Sequence, residues 1–530
     1  MKKIIMALAV VLNCTFLTAQ TEFDALKYVQ TDINGTARYM GMAGAFGALG
    51  GDASAIKDNP AGLGIYRTSE LVGTMSAAMQ KSTSNWQYTT QGGLQNSFGY
   101  AEDPYKVGFN NFSVVIANPT WRNESGTGGL LSSNWSFSFN RLKNFNKSVY
   151  IKSGASTSSM TNFMDYFTGN IPLSDLDYTT SYEPFDNTNI PWLSILAYEG
   201  GLITENLNPS NGENRWESLL NPGETVTPSY YLSEKGHIDE YSIGWAGNFS
   251  NVFYFGATAN LKSINYTARS TYTELFGEGG SMDLENTITT KGNGLNINIG
   301  TILRPTNFFR LGLSLQTPTI YSIDDHYSAI MDYDTDTTNY IATPDNGNSG
   351  YNSFQLQGPM QVNASAAILI GKRGLISAEY DYSNYTGTRL LTEDGSAQEY
   401  SFENQGMTKM LNDVQTLKVG AELKLSDNFA LRGGYAIMSK STKPDAQKYM
   451  IENTIRTDTE YFLNNSTNYL TAGFGFRDAG WFIDFAYMRK ILDETYMPYN
   501  SNLLATELRA NPASLSTVTN NLVVTLGLKF

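Results

Sequence analysis

Two histidines, His237 and His326, are the only imidazoles in 530 residues, and the only thiol, Cys14, lies within the first twenty. Neither histidine belongs to an H-E-x-x-H helix, and no G-x-S-x-G elbow is present. The stretch DYDTD at 332–336 begins like a calcium loop. Thr337 stands where such a loop needs glycine and Thr343 where it needs its last acid, so a solvated surface loop is expected. What remains with chemical reach are cations set in apolar runs. Arg310, Lys418 and Arg432 could hold an acid head group, or could pair with Glu379, Asp381 and Glu422. This inventory points to binding rather than catalysis, with no cofactor and no metal.

The elements that would carry these residues are strands. Charged residues make up 16% of the chain and aromatics 13%, and acids exceed bases by 50 to 36, which argues against a nucleic-acid partner. MKKIIMALAVVLNCTFLTAQ reads as a secretory signal cut after Ala19, so Cys14 would be lost with it. Loss of Lys2 and Lys3 leaves 34 basic residues. No run of about 18 apolar residues follows. The C-terminal NNLVVTLGLKF sets Leu522, Val524, Leu526, Leu528 and Phe530 on one face. LKVGAELKL likewise sets Leu417, Val419, Ala421, Leu423 and Leu425 against Lys418, Glu422 and Lys424. An apolar face toward lipid and a polar face toward a lumen is what a membrane barrel needs, and in lipid the sheet must close.

Fifteen such runs occur, near 70–80, 109–118, 133–142, 147–155, 238–249, 252–264, 294–304, 308–317, 359–370, 374–384, 415–425, 428–438, 468–477, 481–490 and 520–530. With both chain ends in the periplasm, 133–142 and 147–155 must run the same way. They become one strand broken at Leu142, Lys143, Asn144, Phe145, Asn146 and Lys147, and the count becomes fourteen. Long polar loops are expected at 318–356 and 439–466, and the longest at 156–236. In that loop Met160, Phe163, Met164 and Phe167, then Trp192, Ile195, Leu196 and Ile203, mark two short amphipathic helices that could form a capture site or pack the loop on itself.

Before the first strand, residues 40–64 carry seven glycines. Gly41, Gly44, Gly47 and Gly50 would let backbone pack closely on a wall. Asp52 would cap a short helix ending before Asn59-Pro60, and Gly62 and Gly64 would turn the chain into the strand. The G-x-x-G-x-x-G spacing, with no strand before it, is not a dinucleotide loop.

ARYMGMAGAFGALGGDASAIKDNPAGL, with Asn59-Pro60-Ala61 followed by Gly62, resembles the N-terminal signature of the FadL/TodX-type outer-membrane transporters of long-chain fatty acids and aromatic hydrocarbons. The resemblance covers about 40 residues. It implies an all-β, fourteen-stranded transmembrane antiparallel barrel (69–530) behind a small hatch inside the lumen (20–68), in the outer membrane of a Gram-negative bacterium. It implies a hydrophobic ligand captured outside that leaves sideways through a gap at the broken strand, with Phe23 reaching it. Outer-membrane lipid and the barrel-assembly machinery would be partners of a monomer. The competing readings are a non-specific porin, a structural or adhesive barrel, and a hemin-binding receptor. The 156–236 loop is longer than the family pattern and leaves the ligand open.

Overall fold

The computed structural model describes residues 20–90, 93–120, 129–207, 215–221, 223–335, 337–344, 350–451 and 453–530. Fourteen wall strands run antiparallel in a ring. They are β1 (Glu70–Thr90), β2 (Gly93–Ile116), β3 (Leu130–Asn144, resuming at Lys147–Lys152), β4 (Val226–Phe249), β5 (Phe253–Phe276), β6 (Ser281–Leu303) and β7 (Phe309–Gln316, then Ile320–Asp334). The ring continues with β8 (Gly350–Gln357, then Gln361–Ile370), β9 (Gly374–Ser383, then Arg389–Leu391), β10 (Val414–Lys424), β11 (Phe429–Met438), β12 (Tyr461–Arg477), β13 (Trp481–Met497) and β14 (Ala513–Lys529). Each pairs with its neighbour, and β14 pairs with β1 from Glu70↔Lys529 to Trp86↔Ala513, so no edge is left at the seam. The two segments of β3 both pair with β4, which makes them one strand with a break, as the parity argument expects.

The alternation of side chains follows the expected faces. Leu522, Leu526, Leu528, Leu417, Leu423 and Leu431 are all more than 40% exposed, while Lys418, Glu422 and Arg432 are buried in the interior. A band of exposed leucine, isoleucine and valine of this extent is a lipid-facing surface, since in water it would drive association. Tyr241, Tyr380, Tyr435 and Tyr487 lie along its upper side, and Phe476, Trp481 and Phe530 along its lower side.

Above the band the structure departs from the expected loops. The 318–356 stretch is largely strand, as is 226–237, and β2 continues upward through residues 93–108. Outside the membrane the outer face of a strand meets water, so the apolar lipid-facing signal vanishes. The inner alternation persists: Tyr321, Ile323, Asp325, Tyr327, Ala329 and Met331 are buried, whereas Ile320, Ser322, Asp324 and His326 are exposed. Asp332 and Asp334 of the calcium-like stretch are therefore strand residues of β7, not loop residues, and residue 336 lies outside the described residues.

Residues 20–68 fill the barrel. They form α1 (Glu22–Val29), α2 (Ala37–Gly41) and two short 3₁₀ turns, Ser54–Lys57 and Pro60–Ile65. Asp52 accepts from the Ser54 amide at 3.0 Å and from Thr36 Oγ1 at 2.8 Å. Pro60 does not only end a helix; it opens the second turn, capped by Asn59, whose side chain accepts from the Ala61 amide at 3.1 Å. Gly62 and Gly64 lie inside that turn.

Candidate functional site

The hatch meets the wall backbone to glycine. A Cβ on Gly312 would stand 2.6 Å from the Gly47 carbonyl oxygen, and one on Gly420 2.6 Å from that of Met42. Sequence reading found the small residues of the hatch and missed their partners on the wall, because a glycine in a strand signals close approach only once the approaching backbone is known. The hatch main chain is satisfied by wall side chains. Gly47 N donates to Glu379 Oε2 at 2.6 Å, Ala37 N to Thr525 Oγ1 at 2.7 Å, and Asn134 Nδ2 to the Leu63 carbonyl at 2.9 Å. Gly41 accepts from Thr471 Oγ1 at 3.1 Å, and Gly44 takes a left-handed φ of +76°.

Charge completes this lock. Arg38 of α2 and Arg432 of β11 both grip Glu422, at 2.9 and 2.6 Å, and Arg432 also holds Asp484 at 2.6 Å. Lys418 stands 2.7 Å from both Glu379 and Asp381. Arg310 Nη1 donates to the Leu49 carbonyl at 2.6 Å. All three cations considered for a head group are thus committed at the hatch–wall contact, and none of them lines the main cavity.

That cavity, of about 280 Å³, lies above the hatch. Its floor is the segment after α1, from Gln30 to Asn34, and one side is Lys143, Asn144, Phe145, Asn146 and Lys147. Phe23, Tyr230, Tyr266 and Phe462 supply aromatic surface. Phe23 is the one ligand candidate of the sequence that reaches this cavity, its ring 5.1 Å from that of Tyr461. Met160, Phe163, Met164, Trp192, Ile195, Leu196 and Ile203 are buried together in a cap above it, with Phe167 packed against them. They belong to α3 (Met160–Thr168), α4 (Trp192–Glu199) and the strand residue Ile203. The Trp192 ring lies 6.4 Å from Tyr327, which does face the cavity.

The helix α1 is pinned in the lumen. Thr21 and Asp24 form a capping box, Arg456 reaches Asp24 at 3.4 Å, and Tyr28 shares a hydrogen bond with Thr290 at 2.8 Å. Burial pushes the Asp24 carboxyl up, but the charges of Arg456 and Lys448 outweigh it and leave the group below its ordinary range. Burial carries Glu22 the other way, to about 7.

The break itself is two residues long, Phe145 and Asn146, between the segments of β3. Phe145 packs edge-on to Tyr266 at 4.7 Å, and its amide donates to the carbonyl of Gly236, whose φ is +120°. Leu142 is buried, and its carbonyl accepts from Asp32 N at 2.9 Å. Below the break β3 pairs with β2 over six positions only, Asn111↔Asn140 to Ile116↔Trp135. Above Asn111, β2 pairs with β1 alone, and Asp103, Pro104, Lys106, Gly108 and Asn110 of that unpaired stretch line the cavity. The cavity therefore abuts an interruption in the wall. Pro104 was the available signal, since proline is confined to edge strands.

Most cavity cations have a carboxylate: Lys27 has Glu234 at 3.7 Å, Lys147 has Glu494 at 2.6 Å, and Lys490 has Asp32. Among the described residues Lys143 makes no ion pair; it donates to the Lys27 carbonyl at 2.9 Å and lies 4.9 Å from the Phe145 ring centre. His237 contacts Asp239 at 3.3 Å and His326 packs on Tyr351 at 5.0 Å, each in a different part of the barrel.

No family model matches the chain, and no curated protein does. Solved structures do. A FadL homologue from Pseudomonas aeruginosa aligns over 94% of this chain and 99% of its own, at 11% identity and a TM-score of 0.49. The Pseudomonas putida toluene transporter TodX aligns over 95% and 100%, at 12% and 0.47. The Ralstonia pickettii toluene transporter TbuX aligns over 94% and 99%, at 12% and 0.43. They are of the same type that the N-terminal signature resembles.

Proposed function

We propose that this protein carries hydrophobic compounds passively across the outer membrane of a Gram-negative bacterium and releases them sideways into the bilayer. The observation that carries this is the cavity above a locked hatch that abuts the one stretch where β2 has no β3 partner. A greasy solute gains nothing from a water-filled pore through the hatch, whereas a side opening delivers it to lipid. The aromatic lining suits an alkyl or aryl body, and Lys143 suits an acid head group, so a long-chain fatty acid or a similar amphipath fits best. The cap of α3 and α4 would be the capture region. The hatch, with Ala37, Met40, Met42, Phe46 and Leu63 fully buried, disfavours an open porin.

The test is transfer into bilayers. Liposomes carrying the purified barrel should take up a fluorescent fatty acid faster than liposomes carrying an unrelated porin, and should not swell in a small sugar. Sugar-driven swelling without fatty-acid uptake would replace this reading with a porin. Solvent extraction and mass spectrometry of the purified barrel would name the ligand class.

A further inference from the structure

The cavity above the hatch has two unlike sides, with the broken strand β3 between them. On one side β4 and β5 present Tyr230, Leu232, Tyr266 and Ala268. Both tyrosine hydroxyls are committed, Tyr230 donating to Glu460 at 3.0 Å and Tyr266 to Glu234 at 2.5 Å, so this side presents rings and methyl groups. On the other side β1 and β14 present Ala78, Gln80, Thr519 and Asn521. These four make two neighbouring cross-strand pairs, Ala78↔Asn521 and Gln80↔Thr519.

The second side has unused hydrogen-bonding groups. Asn521 is only 9% exposed, and among the described residues its side chain makes no hydrogen bond; its Oδ1 is buried without a partner. Gln80 Nε2 is likewise buried without a partner, and Gln80 Oε1 accepts only a long bond from Thr519, at 3.5 Å. On β5 and β6 the lumen treats its asparagines differently. Asn260 donates to Asn296 at 2.8 Å, and Asn286 accepts from Tyr327 at 2.6 Å. A buried amide without a partner is destabilising, so two of them beside one cavity point to a partner that the cavity receives. Asp32 on the cavity floor links the two regions. Its carboxylate pairs with Lys490, the β13 neighbour of Thr519, and its amide bonds the Leu142 carbonyl next to Lys143.

We propose that Asn521 and Gln80 form a subsite for a neutral hydrogen-bonding group on the cargo, so that the preferred substrate is an acyl acid carrying a hydroxyl or an amide near its head rather than a plain hydrocarbon chain. The inference rests on the carrier reading above and refines its substrate class. Each carboxamide both donates and accepts without adding charge, which matches a hydroxyl or an amide. The rings of Tyr230 and Tyr266 across the cavity take the apolar flank of the same chain.

The purified barrel in detergent would be loaded with tritiated hexadecanoic acid and challenged with unlabelled hexadecanoic acid, 3-hydroxyhexadecanoic acid or N-hexadecanoylglycine. At least one of the two substituted acids should displace the label at an about fivefold lower concentration than hexadecanoic acid, the effect of one hydrogen bond. Asn521→Leu should bring that ratio near one, with Gln80→Met as the second variant should leucine at 521 impair folding. Heat-modifiable migration on gels verifies the barrel in each case. Micelles take up a given competitor equally in every sample, so a change of ratio between wild type and variant reports the protein. Equal displacement by all three acids, or a preference that neither variant moves, would overturn the subsite and leave the carrier reading standing. A barrel that binds no displaceable label would overturn the carrier reading, and the subsite with it.

Discussion

Lys143 Nζ donates to the main-chain carbonyl of Lys27 at 2.9 Å, joining the broken wall strand to the last turn of the lumen helix α1. A second tie runs beside it, from Asp32 N to the Leu142 carbonyl. The wall break and the N-terminal segment therefore share hydrogen bonds, and the cavity lies between them.

Deleting Phe145 and Asn146 together removes the break while keeping the two-residue period, so every side chain of Lys147–Lys152 stays on its own face. The expected result is a barrel of normal heat-modifiable migration whose fatty-acid transfer into liposomes falls at least about tenfold. Unchanged transfer would remove the break from the route.

Glu22 gives α1 a pH dependence. Its carboxyl is raised from the ordinary 4.5 to about 7, chiefly by burial, with Asp24 and Glu403 adding to the rise and Lys448 opposing it. The docked helix thus holds a proton that the undocked one has already lost. Docking is strongest at or below about pH 4.5, weakens as pH rises, and has lost the whole contribution above about pH 7, a span of roughly 3 kcal/mol. Hydrogen exchange of the α1 amides should accelerate between about pH 4.5 and pH 7 beyond the intrinsic rate, and Glu22→Gln should flatten that response.

Glu422 is held by Arg38 from the hatch and Arg432 from the wall. Glu422→Gln leaves two buried guanidiniums short of a counter-charge, a change of about 3–5 kcal/mol. Planar bilayers containing the variant should show ion conductance that the wild-type protein lacks. A silent variant would mean that the glycine contacts alone retain the hatch.

Leu196 is fully buried in the cap core beside Met160 and Phe163. Leu196→Ser costs about 2–5 kcal/mol locally through the cavity, with the buried hydroxyl adding to it. Limited proteolysis should cut within 160–205 at least about ten times faster while the barrel survives. Ligand affinity measured on the same variant decides whether the cap acts in capture.

The lipid-facing half of the barrel was legible because its environment writes a period of two into the sequence, as in Leu522, Val524, Leu526 and Leu528. The broken third strand followed from parity alone. The upper wall was not legible. Ser322, Asp324 and His326 face water there, and with Tyr321 and Ile323 between them the stretch reads as an ordinary polar loop. The helices of the cap could be read from 160–167 and 192–203, but no periodicity tells a loop core from a ligand cavity. Lys143 looked like Lys147 in sequence; only the lumen distinguishes them, by giving Lys147 an ion pair with Glu494 and Lys143 none among the described residues.

The hydrogen bond from Ala37 N to Thr525 Oγ1 joins residues 488 apart, from the hatch to β14. Gly312 and Gly420 leave no slack between stopper and wall, so the stopper cannot be pushed in once the ring has shut. A chain truncated before β14 should already shield residues 37–65 from protease. The expected order is that the open sheet curls around its own N-terminal segment before the last strand zips onto the first.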